Sequence, residues 1–163
     1  MTVSNISIER FSVVSARPFA EVVAAIESQV GHPVPGEMFK AIIAAGNFSE
    51  MESAVQGFVG PTGLMEFMRF DMGMVLSKGE PGKRNVLRLL IGNPLTMRKM
   101  AQHVADVGSY VPISVLVDER ADGVHVSYDR VASAIAGYGS AAASAVAVEL
   151  DRKVESLILA AAG

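Results

Sequence analysis

The sequence predicts an α+β domain, an antiparallel sheet with helices over one face, and three observations carry that prediction. RNVLRLLIGNP (Arg84 to Pro94) is a dense apolar run that stops at Gly-Asn-Pro and gives way to the helix-like TMRKMAQHVADV. This is the pattern of a buried strand, a tight turn and a capped helix: Asn is a strong N-cap, and Pro at the first helical position gives up an N–H that had no intrahelical partner. YVPISVLVDE (Tyr110 to Glu119) and GVHVSYD (Gly123 to Asp129) alternate apolar and polar residues around a short polar turn, as a β-hairpin does. A helical stripe stands near each end of the chain, and short-turned strands with a helix early and a helix late make a sheet clad on one side.

In chain order, SIERFSVV (Ser7 to Val14) reads as a first strand. Arg17-Pro18 then opens a helix, FAEVVAAIESQV, whose stripe is Phe19, Val22, Val23, Ile26 and Val30, with Gly31 and Pro33 ending it. Residues 32–63 suggest two short helices, expected to pack over the Met-lined region of the strand that begins near Met65. Phe39, Ile42 and Ile43 face the core from the first, and Ser49 caps the second with Glu52 three residues on. LMEFMRFDMGMVL alternates as a strand, with Met68, Phe70, Met72 and Met74 on one face and Phe67, Arg69 and Asp71 on the other. The chain closes with a Ser140 cap and a long Ala-rich helix striped by Val146, Leu150, Val154, Leu157 and Ala161.

The strand, the Gly-Asn-Pro turn, the helix, the Val111-Pro112 pair opening a strand and the Val126-Ser127-Tyr128 closing the hairpin stand in the order of the bacterial domain of unknown function 302 family, which this chain resembles from about Met65 to Tyr138. The resemblance implies a strand-helix-four-strand-helix layout with an extra helix between the middle strands. A strand is then expected soon after the first helix, so residues 32–63 read as a helical insertion in one domain spanning 1–163. Two departures stand out. Where many members have an Asp-His pair, this chain has Asp71-Met72, and the Gly-Thr and Leu-Met that usually follow the turn read Met97-Arg98 and Met100-Ala101. Thr96 replaces that hydroxyl only through a changed local geometry.

Composition narrows the function classes. The 163 residues suit one domain with a sizeable core. Half are apolar, yet no run approaches the roughly 20 residues that span a bilayer, and MTVSNISIERF lacks the apolar core of a signal peptide; a cytoplasmic protein is expected. There is no cysteine, so disulfides, thiolate-bound zinc, iron–sulfur clusters and a cysteine nucleophile are excluded. A net charge of −3 without basic runs argues against nucleic acid and anionic membrane as partners. No cofactor and no metal are expected.

Four groups of residues are candidates for chemistry. Gly92, Asn93 and Thr96 stand where free N–H groups at a helix start attract carboxylate or phosphate, although capping alone explains them. Asp71 and His125 are the candidate catalytic acid–base residues, with Arg69 or Arg88 to hold an anionic substrate. A thioether at Met72 does not replace the family's imidazole as base or hard-metal ligand, and Asp71 pairing with Arg69 or Arg88 is the structural alternative. Alternation places His125, Ser127 and Asp129 on one face, where His125 fills an aromatic's space. Met68, Met72 and Met74, with Met65, suit core or pocket lining better than a copper(I) site. Gly57, Gly60 and Gly63 read as a loop because Pro61 interrupts them. The expectation is a homodimer, non-catalytic, binding a small apolar or anionic ligand or a partner; an enzyme using Asp71 and His125, or a structural dimerisation module, are the alternatives. The dimer is expected because apolar residues such as Phe67, Leu87, Leu89 and Leu116 occupy both faces of the sheet.

Overall fold

The computed structural model describes residues 1, 3–79 and 84–163. Its sheet is antiparallel, in the order β1-β5-β4-β3-β2, with β1 at Arg10–Ser15, β2 at Met65–Asp71, β3 at Val86–Gly92, β4 at Ile113–Arg120 and β5 at Gly123–Asp129. The hairpin forms as its alternation requires, from Leu116 opposite Ser127 to Arg120 opposite Gly123. Gly123 turns the chain at a φ of 136°, where a Cβ is strained. β1 adds to one side of the hairpin, Arg10 opposite Asp129, and β3 and then β2 extend the other.

Period-2 geometry turns Leu87, Leu89 and Ile91 of β3, Val115 and Val117 of β4, and Val124, Val126 and Tyr128 of β5 to one face, and all are buried. Onto that face α1 (Phe19–Glu27) lays Val22, Val23 and Ile26, and α7 (Ala141–Ala162) lays Leu150, Val154, Leu157 and Ile158. Each such side chain contributes roughly 1.5–3 kcal/mol on burial, so this layer is the stabilising centre. The helix between β3 and β4 is α5 (Pro94–Ala101), which adds Met100 to the same core. The layout is the one the family resemblance implies.

The caps are explicit. Asn93 Oδ1 accepts from the Leu95 N–H at 2.8 Å with Pro94 at N1, and Ser140 Oγ accepts from the Ala143 N–H at 3.3 Å. At the other end of α7, Ser15 Oγ donates to the Ala162 carbonyl at 2.6 Å and Arg17 Nη1 to that of Ala161 at 2.9 Å, placing a cation at the negative end of the helix dipole. Asp151, only 5% exposed on α7, takes the N–H groups of Val131 and Ala132 at 3.0 and 2.9 Å and so starts the short α6 (Val131–Ile135).

Several expectations are corrected. β1 begins at Arg10, because Glu9 bonds instead to Arg130 and Ser133, outside the ladder. The strand after residue 64 ends at Asp71: its carboxylate accepts from the Met74 N–H at 2.9 Å and caps a short helix, α4 (Met72–Leu76), so Met72 and Met74 do not continue a strand face. Residues 32–63 do contain two helices, α2 (Glu37–Ala44) and α3 (Phe48–Gln56). The cap of α3 is Asn47, however: its Oδ1 accepts from the Glu50 N–H while the Glu50 carboxylate accepts from the Asn47 Nδ2 and the Gly46 N–H, which displaces the expected Ser49–Glu52 pair. From α2 the inward residues are Met38 and Ile42, while Phe39 and Ile43 are 57% and 82% exposed. Met38 and Val55 form a second core with Met65 and Leu95, packed with Phe58 and Phe67. These helices thus dock at the start of β2 and against α5, not over Met68, Met72 and Met74, which stay 50%, 41% and 64% exposed.

Candidate functional site

The face of the sheet that carries no helical core is built from the residues that interrupt the apolar runs, Arg88 in VLRLLI, Ser114 in ISVLV and Ser127 in VSY, together with Leu116 and with Arg10 and Asp129 at the strand ends. Register places Phe70, Arg88, Leu116, Ser127 and Ser12 across the sheet in one row, and Leu90 beside Ser114 in the next. Along this face runs a groove of about 450 Å³ with Arg88, Ser114 and Ser127 on its floor and Ile8, Met72 and Val131 among its apolar walls.

The charges in the groove are unequal. Arg10 holds Asp129 in two parallel bonds, Nε to Oδ1 at 2.7 Å and Nη2 to Oδ2 at 2.9 Å, and hydrogen bonding from Arg10 keeps the Asp129 carboxyl below the usual carboxylate range. The two charges cancel locally. Arg88 donates from Nε to Ser114 Oγ at 2.7 Å, and among the described residues no carboxylate lies within ion-pair distance of it.

A second cleft, of about 890 Å³, opens between the start of α1 and the ends of β2 and β3, and includes Arg69, Asp71, Met74 and Glu119. Arg69, Asp71 and Glu119 are each already engaged by neighbouring groups. Arg69 bonds both Glu66 oxygens, at 2.9 and 2.8 Å, and pairs with Glu27. Those hydrogen bonds, led by the one from Glu66, raise its already high pKa further. Asp71 caps α4, and Glu119 accepts from the Asn85 side chain. The expected pairing of Asp71 with Arg69 or Arg88 is not made. β2 register puts Asp71 opposite Leu87 and Arg88 opposite Phe70, so Asp71 and Arg88 face opposite ways.

The other expected residues also separate. At the start of α5, Gly92 is buried, a Cβ there meeting Pro112 and Phe67 at 3.3 and 3.4 Å. Asn93 spends Oδ1 on its cap and Nδ2 on the Gly63 carbonyl at 2.8 Å, and Thr96 is half-buried beside them. His125 points to the helix-free face with Nε2 2.8 Å from Asp122 Oδ1, a contact that lowers the Asp122 pKa. Asp71 lies on the opposite face three strands away, about 14 Å at the ordinary strand spacing. The two do not converge as acid and base. His32 meets the Glu27 carbonyl at 2.9 Å, and His103 is exposed. Among the described residues no group of three or more His, Cys, Asp or Glu is placed to hold a metal, and no helix is long and apolar enough to cross a membrane. Ser114 and the Arg10–Asp129 pair were not singled out from sequence; the signal for them was one polar residue at an alternate position of each strand.

A small α+β domain with one clad and one bare sheet face is thereby defined. Residues 41–161 match the family model Domain of unknown function DUF302, and the chain belongs to that family. The match extends beyond the Met65–Tyr138 stretch that carried the resemblance and takes in part of residues 32–63. The fold is similar to the crystal structure of an uncharacterized conserved DUF302 protein from Bacillus stearothermophilus, with a TM-score of 0.64 over 93% of this chain and 97% of that one. At 10% identity the likeness is one of fold alone. Among curated proteins none matches significantly.

Proposed function

We propose that the protein is a homodimeric, non-catalytic cytoplasmic domain that binds a small ligand, and that its working surface is the bare face of the sheet. The observation that carries this reading is the exposure of Met68 and Phe70 on that face, at 50% and 43%, beside half-buried Leu90 and Leu116 on the two neighbouring strands. A contiguous apolar surface rimmed by polar groups marks an interaction site. A second copy is the simplest occupant, since a two-fold contact matches one patch with itself and two sheets pack face to face about 10 Å apart. The dispersal of Asp71 and His125 to opposite faces supports binding over catalysis. Light scattering at micromolar concentration tests the reading: twice the 17.2 kDa chain mass is expected, and a clean monomer mass contradicts it.

A further inference from the structure

We infer that the groove on the bare sheet face binds a small monoanionic amphiphile, a carboxylate on an apolar chain, with Arg88 as its anchor. The inference deepens the binding reading above and takes from it only the choice of face.

Three observations select the ligand class. The first is the disposition of the Arg88 guanidinium. Its Nε is held by Ser114 Oγ at 2.7 Å, which orients the planar group, while neither Nη has a hydrogen-bond acceptor among the described residues. An oriented guanidinium edge offers two parallel N–H donors, the geometry that fits a carboxylate.

The second is the charge count. Arg10 is cancelled by its two bonds to Asp129, so the groove presents one uncompensated positive charge. A single carboxylate matches it, whereas a phosphate dianion brings a second negative charge toward Asp129.

The third is the wall. Ile8, Met72, Leu116, Pro112, Val131 and Ala134 give the groove apolar walls beside its polar groups, and a volume of about 450 Å³ suits a chain of several methylenes. The thioether of Met72 bends to follow such a chain.

Isothermal titration of sodium octanoate, below its micelle concentration, into the full chain tests the inference. Expected are saturable binding, a loss of about tenfold or more in Arg88→Gln, a smaller loss in Arg88→Lys, and no change in Arg84→Ala, which alters the other cleft. Arg88 is exposed, so its replacement leaves the thermal midpoint unchanged. Titrated in parallel, 1-octanol binds at least about tenfold more weakly, and octyl phosphate more weakly than octanoate. Octanoate binding that is absent, or undiminished in Arg88→Gln, overturns the proposal. Octanol binding equally well overturns the anionic anchor, and tighter octyl phosphate binding overturns the monoanion. Light scattering on the same samples separates the two readings: a monomer with Arg88-dependent octanoate binding leaves the site and removes the dimer, and a dimer that ignores octanoate does the reverse.

Discussion

The side chain of Asn93 joins two parts of the chain 30 residues apart: Oδ1 caps α5 through the Leu95 N–H, and Nδ2 donates to the Gly63 carbonyl at 2.8 Å. One residue thus sets both where the helix begins and where the loop between α3 and β2 is held.

Asn93→Ala is expected to cost about 1–2 kcal/mol, the cap together with the bond to Gly63. Asn93→Asp keeps the acceptor and loses the donor, so it falls between the two. Urea midpoints of the three proteins check this, and an alanine variant as stable as the parent shows that the cap is not made in solution.

Gly31 and Gly60 let two loops pass in backbone contact. A Cβ at Gly31 sits 1.8 Å from the Phe58 carbonyl oxygen, and one at Gly60 sits 2.4 Å from the Val30 carbonyl carbon. Because the obstacle is backbone on both sides, Gly31→Ala is expected to destabilise by more than about 2 kcal/mol. The change disturbs the docking of α2 and α3 first, so hydrogen exchange in residues 37–56 rises ahead of that in β4 and β5. Uniform protection across both regions tells against this docking.

Asp151 makes stability depend on pH. Burial raises its carboxyl above the ordinary value, against the N–H groups of Ala132 and Val131 that favour the charged form. The folded protein therefore holds this proton more tightly than the unfolded chain does. That advantage is complete below the unfolded value of about 4 and is lost as pH rises through the raised folded value. Asp129, lowered first by its hydrogen bond from Arg10, acts with the opposite sign: its contribution is present above about 4 and lost on acidification through the lowered folded value. Asp151→Asn is expected to flatten the fall in stability above pH 4, and to lose about 1–2 kcal/mol overall because one backbone N–H of α6 loses its acceptor. Urea titrations across that range decide it; an unchanged slope shows that Asp151 is not the group responsible.

What could be read in advance was local. The hairpin, β3 and the Asn93–Pro94 start of α5 each rest on a short pattern whose physics is complete within a dozen residues. The end of β2 was harder, since Met72 and Met74 prolong the alternation while Asp71, a good N-cap, is the signal that stops it. Asn47 and Ser49 are both sound caps, each with a Glu three residues on, and local chemistry alone does not choose between them. The placement of α2 and α3 was not legible: an apolar stripe requires burial without naming the surface that provides it, and Ile43 remains in water despite lying on one. The candidate site failed at the same level. Whether Asp71 meets Arg88 or His125 depends on strand order and register, and a bulge between Glu66 and Met68 shifts β2 against β3. The chemistry of Arg88 and Ser127 is therefore legible in the sequence, while the strand pairing that brings them together with Ser114 is not.

The most direct test of the central claim, that the bare sheet face joins two copies, is sedimentation equilibrium of the parent chain beside Met68→Glu and Phe70→Glu. Both side chains are about half in water within one chain, so the charges leave the single domain folded and its thermal midpoint close to that of the separated parent. The account predicts a dimer for the parent and monomers for both variants. A monomeric parent, or dimers that survive both substitutions, would contradict it.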